Sequence, residues 1–196
     1  MASPERALIT GGEGQLGRAL VASLNGAVAP GRDALDVTDP EAVRRSLREH
    51  RPDLVVNAAA YNDVDGAETD RERAFAVNAD GPAHLARACE ESGARLVHVS
   101  SDYVFDGRLP RPYGEDDPPA PLGVYGASKL AGERAVLKAR CPRLVVRTSG
   151  VFGRGGSRVK GGSFVDRILS RARQGLPLRV VSDQVFSPTY ARDLAQ

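Results

Sequence analysis

The sequence predicts an α/β fold, a doubly wound parallel sheet with helices on both faces. Three observations predict it. Short apolar runs alternate along the chain with longer amphipathic ones, as they do in β-α-β units whose sheet is buried on both sides. A glycine-rich turn, residues 10–17, follows the first apolar run and opens the first helical one. The composition suits a buried core: of 196 residues 41% are hydrophobic, and 27 Lys+Arg against 25 Asp+Glu leave a formal charge of +2. A chain of this length buries about 70% of its unfolded surface and needs no disulfide framework.

The elements follow in order. Residues 7–10, Ala-Leu-Ile-Thr, read as a buried strand. Leu16, Leu20 and Leu24 give residues 14–24 a helical stripe. A short second strand is expected at 27–29, stopped by Pro30 and Gly31. Asp39, Pro40 and Glu41 supply a cap, a proline at the first helical position and an acid in the first turn. That helix, striped by Val43 and Leu47, should end near His50, before Pro52. Residues 54–56 form the third strand. A long helix is expected over 71–91, kinked or tightened at Gly81-Pro82. Residues 96–99 form the fourth strand, 106–123 a Pro/Gly-rich loop, 125–138 a helix and 144–146 the fifth strand. A glycine-rich basic loop (154–162), a helix (165–173), a strand (178–181) and the start of a helix (189–196) complete the chain. There is no internal repeat.

Several classes of function are disfavoured. Charge is balanced along the chain, so no basic footprint for nucleic acid is present. No run approaches the ~18 apolar residues of a membrane span, and the first residues lack a signal-peptide core. Cys89 and Cys141 are expected as buried, reduced thiols. His50, His84 and His98 are too dispersed for a structural zinc site. The expected setting is cytoplasmic.

In the glycine turn, Gly11 suits a tight turn, Gly14 lets a pyrophosphate approach the backbone, and Gly17 lets helix and strand pack closely. Gln15 and Leu16 lie at the helix N-terminus, whose free N–H groups favour phosphate. The strand–turn–helix context makes this a Rossmann-like dinucleotide site. About 20 residues on, where such folds meet the adenosine ribose, stand Arg32 and Asp33. Arg32 is expected on the 2′-phosphate of NADP(H), with NAD(H) left open. Asp36 and Val37 are assigned to the adenine edge; the alternative for Asp36 and Asp39 is loop and helix capping.

Tyr125 and Lys129 stand four apart in a helical stretch, hence on one face. The cation is expected to lower the phenol's pKa towards the range where it exchanges protons. Ser100, Ser101 and Asp102 follow the fourth strand, at the sheet edge where open α/β sheets bind ligands. A serine there can hold a substrate carbonyl oxygen while Tyr125 delivers a proton to it.

With these parts the sequence resembles the extended short-chain dehydrogenases/reductases, and most closely the dTDP-4-dehydrorhamnose reductase group. The resemblance runs from Leu8 to Ala195. It is carried by TGGEGQLGRAL (10–20), LDVTDP (35–40), VVNAAAYNDVDGAE (55–68), FAVNADGPAHLA (75–86), VHVSSDYVFDG (97–107), VYGASKLAGE (124–133), VVRTSGVFG (145–153) and VVSDQVFSPTYARDLA (180–195). It implies hydride transfer from NADPH or NADH to the 4-keto group of a dTDP-6-deoxy-4-ketohexose. It implies that Ser101 holds the carbonyl, that Tyr125 is the general acid, and that Lys129 binds the nicotinamide ribose and tunes Tyr125. It implies that Gly11, Gly14 and Gly17 line the pyrophosphate. Ala58, Ala59 and Ala60 would let the adenine side of the cofactor pass, and Asp102 and Tyr103 would flank the substrate. The family's usual Ser-Thr-Asp is Ser-Ser-Asp here, which keeps a hydroxyl. One NAD(P)-binding domain is expected over 1–196, with 150–196 including the start of a substrate-binding portion that is incomplete by the family's pattern. A homodimer is left open.

Two other classes compete. A sugar-nucleotide dehydratase or epimerase is disfavoured, since the Thr-Asp-Glu-like signature of a dehydratase is Ser101-Asp102-Tyr103 here. A non-catalytic NADP-binding regulatory subunit keeps the fold without the chemistry; intact Ser101, Tyr125 and Lys129 argue against it.

Overall fold

Residues 6–153, 164–181, 185 and 187–196 are described by the structure, a computed structural model. Ala7–Thr10 (β1), Leu54–Asn57 (β2), Arg95–Ser101 (β3) and Arg143–Thr148 (β4) run parallel and pair in that order. Ile9 stands opposite Val56, and Val56 opposite Val97. Side chains alternate across a strand, so the same strands supply two cores. Leu8, Val55 and Leu96 join Val43, Leu47, Leu85 and Val136 on one face. Ile9 and Val56 join Leu16, Leu20 and Ala191 on the other. This is the doubly wound arrangement the alternating pattern predicts.

The helices are Gln15–Ser23 (α1), Pro40–His50 (α2), Arg71–Phe75 (α3), Gly81–Ser92 (α4), Val124–Lys138 (α5), Phe164–Arg173 (α6) and Ala191–Leu194 (α7). α4 packs between α2 and α5, while α1 meets α7. The Asp39 carboxylate caps α2, accepting the Glu41 N–H at 2.9 Å. A small parallel pair, Val151–Phe152 (β5) with Thr189–Tyr190 (β6), lies beside α1.

Three expectations need correction. Residues 27–29 shrink to a single bridge between Leu8 and Val28, held by Ile9 N–H to Val28 O and Val28 N–H to Ala7 O, both 2.8 Å. Pro30, without an N–H, ends the pairing there. The bridge still flanks β1 opposite β2, so consecutive connections leave β1 in opposite directions and create a switch point at its C-terminal end. Residues 178–181 are not a strand. Leu178, Val180 and Val181 are exposed and pair with no strand among the described residues; an apolar run does not make a strand without a partner.

The long helix over 71–91 is two helices joined by a π-helical turn, Ala76–Asp80. The Gly81 N–H bonds Ala76 O, five residues back, and Pro82 has no N–H to offer Asn78 O. The predicted loop at 154–162 lies outside the described residues.

Both cysteines are buried free thiols, as expected. Burial pushes Cys89 up to about 12. Among the described residues, no helix is long and apolar enough to cross a membrane.

Candidate active site

The glycine turn closes at the C-terminal end of β1. Gly11 has φ +67°, and a Cβ there would lie 2.7 Å from Ala58 O and Ala59 N. A Cβ at Gly17 would lie 2.1 Å from Gly11 O. Both positions therefore exclude side chains. Gly14 differs: its Cβ would meet only Gly11 O, at 3.1 Å, so the surroundings beyond are open. Gly14 also gives α1 no side-chain cap, which leaves the first-turn N–H groups available to an anion. This is a cradle that fits a pyrophosphate. Leu16 packs in the core and offers only its backbone, whereas Gln15 Nε2 is buried with no hydrogen-bond partner among the described residues.

A buried polar ladder stiffens the sheet below the turn. Thr10 Oγ1 donates to Asn57 Oδ1 at 2.6 Å, and the Asn57 amide meets His98 Nδ1 at 3.0 Å. The Ala59 N–H points at Asn57 Oδ1 and Thr10 Oγ1, 3.2 and 3.3 Å away. The half-buried segment Ala58, Ala59 and Ala60 is thereby held against the glycine turn. Burial, with Lys129 adding repulsion, lowers His98 to about 3, so it stays neutral.

Arg32 and Asp36 meet each other, Nε and Nη2 lying 3.3 Å from Asp36 Oδ2. The other Asp36 oxygen accepts the Thr38 N–H at 2.9 Å and hydroxyl at 2.8 Å, as the capping alternative foresaw. Val37 is a core residue whose carbonyl meets His84 Nδ1 at 3.1 Å. Its side chain is therefore unavailable to an adenine.

Ser101 ends β3 and caps the short 3₁₀ turn Asp102–Val104. Its Oγ accepts the Tyr103 N–H at 3.2 Å and donates to Asp102 Oδ1 at 3.1 Å. α5 closes onto this turn because Gly126 has no side chain; a Cβ there would lie 2.2 Å from Tyr103 O. The approach brings the Tyr103 ring edge-on to Tyr125, centroids 5.5 Å apart at 84°. Ser101, Tyr103 and Tyr125 thus converge at the end of β3.

The electrostatics correct one expectation. Burial raises the Tyr125 pKa above its usual 10, opposed by a hydrogen bond from Ser101 and reinforced by the Asp102 charge. Lys129 does not lower it, because its Nζ points at Val99 O, 2.7 Å away. Lys129 is itself buried, which draws it down to about 8, with Glu133 pulling the other way.

Three residues escape the motif reading. Asn78, buried on the π-helical turn, accepts the Tyr61 N–H at 2.9 Å and donates to Tyr61 O at 3.2 Å and Ser128 Oγ at 3.0 Å. It ties the segment after Ala60 to α5. Buried Glu133 on α5 and half-buried Arg147 on β4 form a pair with contacts of 2.8–3.2 Å.

The site therefore offers a protonated phenol and a serine hydroxyl at a sheet edge that also carries a phosphate cradle. Comparison with known proteins places the chain among relatives. The chain is 51% identical over 203 residues to dTDP-4-dehydrorhamnose reductase of Mycobacterium tuberculosis, covering 98% of this chain and 64% of that protein. It thus spans a little under two thirds of that relative's length. The crystal structure of dTDP-4-dehydrorhamnose reductase from Bacillus anthracis, in complex with NADP, superposes with a TM-score of 0.92 at 39% identity, covering 97% of this chain and 68% of that one. WbmG from Bordetella bronchiseptica, in complex with NAD and UDP, gives 0.81 at 25% identity, covering 97% and 66%. The model of the RmlD substrate binding domain matches residues 5–196. With that match over the sheet, the glycine cradle and the Ser101–Tyr125 centre, the chain belongs to the RmlD substrate binding domain family.

Proposed function

We propose that this chain carries the cofactor site and catalytic residues of an NADPH-dependent reductase acting on the 4-keto group of a dTDP-4-dehydro-6-deoxyhexose. The observation that carries this reading is the convergence of Ser101 and Tyr125 at the end of β3, on the sheet edge that holds the glycine cradle. The reductases from M. tuberculosis and B. anthracis support the substrate class and NADP. The reading places the chain in the cytoplasm, in keeping with its free buried thiols.

The cofactor, when bound, supplies a hydride. Gly11, Gly14, Gln15 and Gly17 would hold its pyrophosphate through backbone N–H groups, and Lys129 would bind its nicotinamide ribose. Ser101 turns its hydroxyl from Asp102 to the substrate carbonyl oxygen, and Asp102 and Tyr103 flank the sugar. Tyr125 transfers its phenolic proton to that oxygen as negative charge develops on it. The raised pKa suits this direction: the phenol is protonated at neutral pH, and an alkoxide is a far stronger base than a phenolate. Both groups stabilise the transition state more than the ground state.

The direct test is NADPH oxidation by this chain, and by a longer natural form, with a dTDP-4-keto-6-deoxy sugar. Substrate-dependent oxidation is expected; a longer form that binds NADPH yet leaves the keto sugar untouched overturns the reading. Arg32→Ala addresses cofactor choice. On the reading that Arg32 leaves Asp36 for the 2′-phosphate, NADPH affinity falls roughly 10–100-fold, the worth of a hydrogen bond to a charged group, and NADH affinity is unchanged. Equal losses for both cofactors in paired titrations would rule Arg32 out as the discriminator.

A further inference from the structure

The Glu133–Arg147 pair, its carboxylate buried and its guanidinium half-buried, lies outside the Ser101–Tyr125–Lys129 chemistry, yet it joins α5 to the segment after the Ser101 turn. Glu133 is one helical turn beyond Lys129 on α5 and is 1% exposed. Its carboxylate takes Nε and Nη2 of Arg147, with Nη2 to Oε2 at 2.8 Å. Arg147 comes from β4, directly opposite Ser100 in the sheet register and next to the Thr148–Ser101 pair. Its remaining nitrogen, Nη1, reaches Glu115 O at 3.4 Å. Its guanidinium carbon lies 5.0 Å from the centroid of the Phe105 ring. One planar group is therefore shared between the helix of Tyr125 and Lys129 and the segment that follows the Ser101–Asp102–Tyr103 turn.

That segment is built to be held. The Phe105 ring stacks on Tyr113 at 4.2 Å, and Tyr113 donates its hydroxyl to Asp106 at 2.7 Å. Arg111 makes a two-pronged bond to Asp117, 2.7 Å on each side, and Asp117 also accepts the Gly114 N–H at 2.7 Å. The loop has its own internal ties, but it contains no strand or helix between residues 105 and 123. Arg147 links it to β4 and α5 through Glu115 O and the Phe105 ring, and Pro121 approaches α5 at Gly126. A lysine cannot replace this: an ammonium is a point charge without the planar fork needed to meet a carboxylate, a carbonyl and a ring face together.

We propose that Arg147 is a positioning residue which, through Glu133 and the Phe105 ring, holds the 105–117 loop in fixed register with the catalytic helix, as one wall of the sugar-nucleotide site. The function of that wall rests on the reductase reading; the mechanical link does not. The carboxylate of Glu133 has a second effect on the same helix, since its charge opposes the burial that draws Lys129 down.

Hydrogen exchange on the full chain separates the two. In Arg147→Lys the amides of Leu109, Gly114 and Ala120 should exchange at least ten times faster, while β1 and β2 keep their protection. Phe105→Leu, which leaves the ion pair intact, should loosen the same loop amides and decides the matter if Arg147→Lys does not fold. Unchanged loop exchange in the folded variants overturns the proposal. In a form that turns over, Arg147→Lys should raise KM for the keto sugar nucleotide about tenfold, with kcat within a factor of two and NADPH affinity unchanged. A fall in kcat with KM unchanged overturns the wall assignment while leaving the reductase reading in place.

Discussion

Tyr125→Phe should lower kcat for keto-sugar reduction by about 10²–10⁴-fold, the usual worth of a positioned general acid. The substitution removes one oxygen and keeps the ring. The edge-on contact with Tyr103 and the packing of α5 on the Asp102–Val104 turn are therefore retained. NADPH affinity should change little, because the cradle is built from Gly11, Gly14 and Gly17, on another element. The variant also lacks the group whose proton burial protects: in the parent, the raised pKa keeps the phenol protonated through neutral pH. Steady-state kinetics on a catalytically competent form, with NADPH titration alongside, make the check. Turnover within a factor of two of the parent would show that the proton comes from elsewhere.

Much of this site was legible because its parts are sequence-local. The glycine turn needs Gly11 and Gly17 for steric reasons that act within a few residues, and Tyr125 and Lys129 share a face because a helix repeats every 3.6 residues. The cap at Asp39 is likewise a matter of neighbours. What the sequence hid depends on contacts between distant segments. Asn78 faces inward only because a π-helical turn adds a residue before Gly81, and nothing in residues 71–91 announces that shift. Arg147 and Glu133 read as surface charges until β4 and α5 are set side by side. The direction of the Tyr125 pKa is hidden for the same reason: spacing puts Lys129 on the right face, but Val99 O, from β3, claims its ammonium. The apolar run at 178–181 reads as a strand because hydrophobicity reports a preference for burial and says nothing of a partner.

Lys129→Met should cost activity and add stability, two effects of opposite sign at one residue. The ammonium is buried, and burial lowers its pKa from 10.5 to about 8. At 1.36 kcal/mol per pKa unit this corresponds to about 3 kcal/mol of destabilisation when the group is charged in both folded and unfolded states. Since the folded pKa lies below the unfolded one, the penalty is fully present below pH 8 and fades as the pH rises towards 10.5. Methionine removes the penalty and also the bond to Val99 O, whose net worth is about 1 kcal/mol. The variant should thus be more stable than the parent at pH 7, by roughly 1–2 kcal/mol, with the difference shrinking through pH 10. Urea unfolding at the two pH values measures it, and a variant less stable than the parent at pH 7 refutes the account. The same titration sets the activity profile. Reduction by the parent should decline above about pH 8, as Lys129 loses its proton, and not at the higher pH where Tyr125 would. On the reductase reading Lys129→Met should show a weaker grip on NADPH and a kcat lowered at all pH values, because the ammonium proposed to meet the ribose is gone. A charge held in a dry interior at a cost to the fold is what a group retained for chemistry looks like; a lysine serving only to fill space between α5 and β3 would be replaced by methionine without loss of turnover.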